Sequence, residues 1–225
     1  MNIKQMHLTK NAYSRPGTKM SQVKGIVIHY VGNPGSTAEA NRNYFEKLKY
    51  GQKMSNGQYR YASSHYIVGL KGEVIECIPE TEVAYHAQVA NKNYIGIEVC
   101  HPNADGKFSE ITYKALIELV IDICKRYDLN PLRDVIRHYD VTGKECPMYY
   151  VQNTSAWEQL KKDINSKMVS QTVSKLKIKL NGNVKEIDAI NIEGINYVKL
   201  RDLADEKITV DYDVEKKLPI VIVNL

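Results

Sequence analysis

Two histidines and a cysteine are the residues whose types and spacing could do chemistry. His29 ends the apolar run GIVIHYV, His138 ends the short run DVIRH, and Cys146 follows eight positions later in RHYDVTGKECP. Imidazole and thiolate are donors that Zn²⁺ prefers, and three protein ligands leave the fourth tetrahedral position for water. The spacing alone leaves other readings open: buried His and Cys are often plain core residues, and a cysteine with a nearby histidine can be a nucleophile. Glu98 adds to the set. Alternation along Ile95-Gly96-Ile97-Glu98-Val99 puts Ile95, Ile97 and Val99 on one face, and Gly96, Glu98 and Cys100 on the other. A carboxylate inside an apolar strand needs a partner or a task, because burying an unpaired charge is costly. It either pairs with a lysine or acts as a general base of raised pKa, with Gly96 leaving room for a ligand beside it.

The elements that must position these groups follow from periodicity. GIVIHYV (25–31) has the continuous apolar character of a buried central strand. Ser36 and Glu39 have capping-box spacing, and Ala40, Tyr44 and Leu48 recur every four residues, which predicts a helix over 37–49. The polar stretch YGQKMSNGQYR reads as a loop. Residues 65–78 predict two strands around a turn bounded by Gly69 and Gly72, 94–100 a further strand, and 134–138 a short one. Ile111, Ala115, Leu116, Leu119, Val120, Ile123 and Tyr127 mark a helix face that Asn130-Pro131 must end. Ser155 with Glu158 opens a last helix carrying Trp157, Leu160 and Ile164. Strands alternating with helices give an α/β chain: a mixed β-sheet flanked by α-helices. Residues 168–174 are expected to be a linker. Beyond it the alternating LKIKL, the strand-to-helix stretch INYVKLRDLADE, and ITVDYDV with PIVIV predict a small α+β C-terminal domain over 175–225.

Composition narrows the class. Lys plus Arg is 31 against 26 Asp plus Glu, and from Lys175 onward the counts are nine and nine, so the whole excess of +5 sits in the first part. That is enough to favour an anionic partner and too little to diagnose nucleic-acid binding. No apolar stretch approaches the ~18–20 residues of a membrane span, so membrane insertion is not expected. Tyrosine outnumbers phenylalanine 16 to 2, with 14 before residue 174, which suits a groove for a polar ligand or simply half-buried surface rings. The opening residues MNIKQMHLTKNAYSRPG hold no continuous apolar run, so no signal peptide is expected and synthesis in the cytoplasm follows.

Five blocks in order, VIHYVG, SSHYIVGLKGEVIECIPE, AYHA, NYIGIEVCH and RHYDVTGKECP, resemble the signatures of the type 2 N-acetylmuramoyl-L-alanine amidases, a family of phage endolysins and bacterial autolysins with the peptidoglycan recognition proteins as distant relatives. The resemblance covers roughly residues 20–167. It implies Zn²⁺ held by His29, His138 and Cys146, Glu98 as the proton carrier and Lys144 as stabiliser of the oxyanion. The implied reaction is hydrolysis of the amide joining N-acetylmuramic acid to L-alanine in peptidoglycan. His86 and Asn93 are expected along the substrate groove, and His65 either there or as a structural residue. One branch of the family carries a catalytic tyrosine where this chain has Ser64, which turns the expectation toward Glu98. His101 is expected at the surface, and Cys77 and Cys124 as inert thiols.

The last 50 residues resemble small stalk-type domains, with wall attachment or self-association as the implied task. Lacking a signal peptide, an enzyme of this kind would reach the wall through a holin or cell lysis, as an endolysin does. The alternatives are an inactive peptidoglycan-binding protein, a bacterial autolysin, and a cysteine hydrolase built on Cys146.

Overall fold

A computed structural model describes residues 2–170, 173–192, 195–216 and 218–223. The chain divides into two compact units, Met1–Asn165 and Ser166–Leu225.

The first unit is built on a six-stranded sheet of β1 (Ile3–Gln5), β2 (Gly25–Tyr30), β3 (Tyr66–Val68), β4 (Val74–Glu76), β5 (Tyr94–Val99) and β6 (Val135–Arg137), ordered β1-β4-β3-β5-β2-β6. Every pairing is parallel except β3 with β4, the predicted hairpin. The sheet is therefore mixed, as expected. The unpredicted strand is β1, in a segment whose sequence IKQ offers no apolar run; it pairs only with β4, at the edge, where a polar strand is tolerated. Centrally, β2 is the reverse case: Ile26, Val27 and Ile28 are fully buried.

Helix α1 (Ala38–Lys47) takes its cap from Thr37, whose side chain accepts from the Ala40 N–H, one residue later than the Ser36 cap predicted. Ser36 instead donates its hydroxyl to the Asn33 carbonyl. Phe45 of α1 and the following Leu48 join Ile67, Ile75 and Ile78 in one core cluster. Helix α2 (Glu110–Tyr127) is capped by Ser109 and buries Leu116, Leu119, Val120 and Ile123, while Ile111 stays exposed. The helix stops at Tyr127, where Asp128 turns left-handed at φ 52°, ahead of the predicted Asn130-Pro131 stop; that pair instead opens the short α3 (Pro131–Asp134), the Asn130 side chain accepting from the Leu132 N–H. Helix α4 (His138–Thr142) begins directly after β6, so His138 is the first residue of a helix and not the last of a strand. After α5 (Met148–Gln152), α6 runs over Thr154–Ser170. It starts one residue before the predicted Ser155 cap, and it continues through residues 168–170, where a linker was expected. No glycine or proline lies between 154 and 175 to stop it. Gln171 and Thr172 of the expected linker lie outside the described residues.

The second unit holds a three-stranded antiparallel sheet of β7 (Val173–Leu180), β8 (Asn183–Ile192) and β9 (Ile195–Val198), and a hairpin of β10 (Ile208–Asp213) with β11 (Leu218–Val223). Among the described residues after Ser170, the only helical turn is the 3₁₀ stretch Leu200–Leu203. This unit is thus a small β domain and not α+β; LRDL is one turn long, too short to sustain an α-helix. Its core is thin, with Ile187 and Ala189 its buried apolar residues among those described.

Candidate active site

Register places the chemistry. His29 on β2 stands beside Glu98 on β5, and Ile28 stands beside Arg137, the residue before His138. His29 and Glu98, each next to last on its strand, and His138, directly after β6, thus gather at the carboxyl ends of three neighbouring parallel strands, where open α/β sheets bind ligands. Cys146 joins them through a loop that folds back over the start of α4. Gly143 ends that helix with φ 76°, a left-handed conformation that glycine adopts freely, and the Tyr139 N–H then donates to the Cys146 carbonyl at 2.9 Å.

The donor atoms of His29, His138 and Cys146 lie within 4.8 Å of one another, and all three residues are buried. Cys146 Sγ is 3.8 Å from His29 Nδ1. A tetrahedral zinc with its usual bond lengths sets such separations at about 3.3–3.6 Å, so a contraction of at most ~1.5 Å closes the cluster around an ion. His138 Nδ1 and Glu98 Oε2 are shut off from solvent with no hydrogen-bond partner among the described residues, and buried polar atoms are seldom left so. This set of donors therefore fits a cation.

Electrostatics agree. Burial pushes the Cys146 thiol up to about 12, with Glu98 adding to the rise. A nucleophilic cysteine needs the opposite shift; a thiolate here needs a cation against it. Burial, with His86, His138 and Lys144 nearby, holds His29 well below the usual imidazole range, and burial with Lys144 brings His138 down to about 4, so both rings are neutral donors. Burial raises Glu98 to about 8, and Lys144 only partly offsets this. Among the described residues no lysine forms a salt bridge with Glu98, which lines the cleft.

The cleft has two lobes that share Lys144. One, of about 630 Å³, is lined by Tyr61, Tyr85, His86, Asn91 and His138; the other, of about 430 Å³, by Tyr30, Asn33, Tyr44, Arg60 and Glu98. Some tyrosines thus do line a groove. Arg60 and Asn91 were not foreseen: nothing in their local sequence separates them from ordinary loop residues.

Other expectations change. His65 is fully buried; its Nδ1 accepts from the Gly96 N–H and its Nε2 donates to the Glu82 carbonyl, both at 2.9 Å, so it braces backbone and does not line the groove. Asn93 is replaced as the groove asparagine by Asn91, whose Oδ1 accepts from the His86 and Ala87 N–H groups; Asn93 caps the short turn Gln88–Lys92 instead. His86 does border the groove, yet both its ring nitrogens are engaged inside the protein. The room beside Gly96 holds the His86 ring, 2.5 Å from where a Cβ would stand, and not a ligand. His101 is buried and not at the surface, its two nitrogens facing the Asn103 and Val31 carbonyls. Cys77 and Cys124 are buried thiols pushed up to about 12 by burial, as inert thiols should be.

The family model described as N-acetylmuramoyl-L-alanine amidase matches residues 19–149, more than half of the chain, and spans all of His29, Glu98, His138, Lys144 and Cys146. The chain belongs to the type 2 N-acetylmuramoyl-L-alanine amidase family. A probable N-acetylmuramoyl-L-alanine amidase of Bacillus licheniformis is 39% identical over 73% of this chain and 47% of its own length. The N-acetylmuramoyl-L-alanine amidase BlyA of Bacillus subtilis (strain 168) is 36% identical over 75% and 48%. This family member spans about half the length of those curated relatives. Among solved structures, the catalytic domain of XlyA superposes with a TM-score of 0.60 at 27% identity, covering 73% of this chain and 99% of that one. A mutant endolysin from Bacillus subtilis gives 0.59 at 28%, covering 72% and 98%.

Proposed function

We propose that this chain is a zinc-dependent N-acetylmuramoyl-L-alanine amidase, cleaving the amide between N-acetylmuramic acid and L-alanine in the peptidoglycan of a bacterial wall. The observation that carries the reading is the pair of orphaned buried atoms, His138 Nδ1 and Glu98 Oε2, beside the His29–Cys146 contact. His29, His138 and Cys146 would hold the ion, which would supply Lewis acidity at the scissile carbonyl. Glu98 accepts the proton of the attacking water, a task its raised pKa suits near neutrality, and returns it to the departing amine nitrogen. Lys144, shared by both lobes of the cleft, places an ammonium where the oxyanion develops. The two lobes give the sugar and the peptide stem separate places on either side of that lysine.

The first unit is the catalytic one in this reading. The second is an attachment or self-association module without histidine or cysteine of its own. The likeness to a mutant endolysin from Bacillus subtilis supports the role of an endolysin, with release by lysis or a holin as part of this reading; an autolysin is the alternative within the same chemistry.

The test is wall lysis followed through metal removal. EDTA should abolish it and zinc restore it. Activity that survives full metal depletion but is lost on cysteine alkylation would replace this reading with a cysteine hydrolase.

A further inference from the structure

Four imidazoles stand in a row, His65, His86, His29 and His138, with successive ring centroids 5.9, 5.2 and 4.7 Å apart. The outer two have assigned tasks, and His86 has none. We propose that His86 is a positioning residue: it accepts the Nε2–H of His29 and so turns the His29 Nδ1 lone pair toward Cys146 and His138. This rests on the reading of that cluster as a metal centre.

The polarity of the hydrogen bonds dictates the arrangement. His86 Nε2 lies 3.0 Å from the Tyr94 carbonyl oxygen, which only accepts, so the His86 proton is on Nε2. In a neutral ring Nδ1 is then a bare acceptor, and it lies 3.1 Å from His29 Nε2. That contact needs one donor, which places the His29 proton on Nε2. His29 Nδ1 is left unprotonated, 3.8 Å from Cys146 Sγ. A main-chain carbonyl at the start of β5 thus sets the tautomer of a ligand on β2 through a single intervening ring.

The intervening ring is itself fixed. Asn91 Oδ1 accepts from the main-chain N–H groups of His86 at 2.9 Å and Ala87 at 2.7 Å, holding the segment that carries the ring. Gly96 provides its seat: an added Cβ would stand 2.5 Å from His86 Cγ and 2.8 Å from Nδ1. With both nitrogens spent, His86 has no polar atom left to offer a substrate, although its edge borders the cleft. Partners of this kind, which orient a ligand without touching the metal, typically change metal affinity about 10–100-fold when removed.

The experiment has two arms. Long-range ¹H–¹⁵N correlation spectra of the metal-free protein should show the proton on Nε2 of both His86 and His29; a proton on His29 Nδ1 would overturn the proposal, whether or not the protein binds zinc. In the second arm, zinc affinity is read by competition with a chromophoric chelator. His86→Leu should weaken it about 10–100-fold, whereas His86→Asn, which keeps an acceptor oxygen near the place of Nδ1, should stay close to wild type. Gly96→Ala should reproduce the loss by displacing the ring. A folded His86→Leu protein, judged by circular dichroism, that binds zinc as tightly as wild type would overturn the proposal. Absence of zinc binding in the wild type would defeat the metal reading instead, and the tautomer spectrum would still decide the role of His86.

Discussion

Two glutamates of the first unit, Glu80 and Glu98, meet opposite surroundings. Glu80, its side chain 9% exposed, is saturated: Tyr66 and Tyr127 each donate a hydroxyl to it at 2.8 Å, and Arg126 grips both of its oxygens. Burial works against its charge, but those donors outweigh it and hold the carboxyl below its usual range. Glu98 has an oxygen that no described residue hydrogen-bonds, and burial drives it up to about 8. The first arrangement ties α2 to the segment after β4. The second is a group kept in an unfavourable state, as general bases are. Satisfaction of hydrogen bonds, more than burial, separates the carboxylate that holds the fold from the one that acts.

The comparison can be broken at several points. The largest effect belongs to the cluster beside Glu98: His138→Ala or Cys146→Ala should remove bound zinc and cost on the order of 10³-fold or more in turnover, measured by release of new amino termini from purified walls. Retained turnover would take the cluster out of the chemistry. Glu98→Gln should cost about 10²–10³-fold in kcat with zinc still bound, read by metal analysis beside the rate assay. Metal loss in that variant would make Glu98 a support of the cluster instead.

Glu80→Gln should do the reverse, destabilising the protein by about 2–3 kcal/mol in denaturant unfolding while leaving kcat per folded molecule unchanged. A turnover loss would show that the two sites are coupled.

The sharpest form of the contrast is in pH. The folded pKa of Glu80 lies below the unfolded value near 4.5, so its contribution is present above that pH and is lost as pH falls. For Glu98 the folded pKa lies above 4.5, so stability falls as pH rises from about 4.5 toward 8. Metal-free Glu98→Gln should therefore gain on wild type over that window, by up to a few kcal/mol. Glu80→Gln should trail wild type above pH 4.5 and approach it in acid. Equal pH profiles for the two variants would erase the distinction.

Much of this was legible in the sequence because strand periodicity is strict. Ile95, Ile97 and Val99 alternating with Gly96 and Glu98 gave the face of Glu98, and the apolar runs before His29 and His138 gave their strands. Less legible was anything fixed by contacts between distant segments. Gly96 suggested open space, yet a ring from ten residues earlier fills it. His65 and His101 looked available because a histidine's neighbours in sequence do not reveal that main-chain groups from other segments consume its nitrogens. The same blindness hid the Glu80 node, whose arginine is 46 residues away in the chain. The edge strand β1 escaped because pairing, not composition, makes it a strand.

The most direct test of the central claim is mass spectrometry of purified peptidoglycan digested by the full chain with zinc present. The account predicts stem peptides with a free amino-terminal L-alanine and glycan strands with free lactyl carboxyls, and no such products from Glu98→Gln. Disaccharide-peptides, or cuts within the stem, would contradict it.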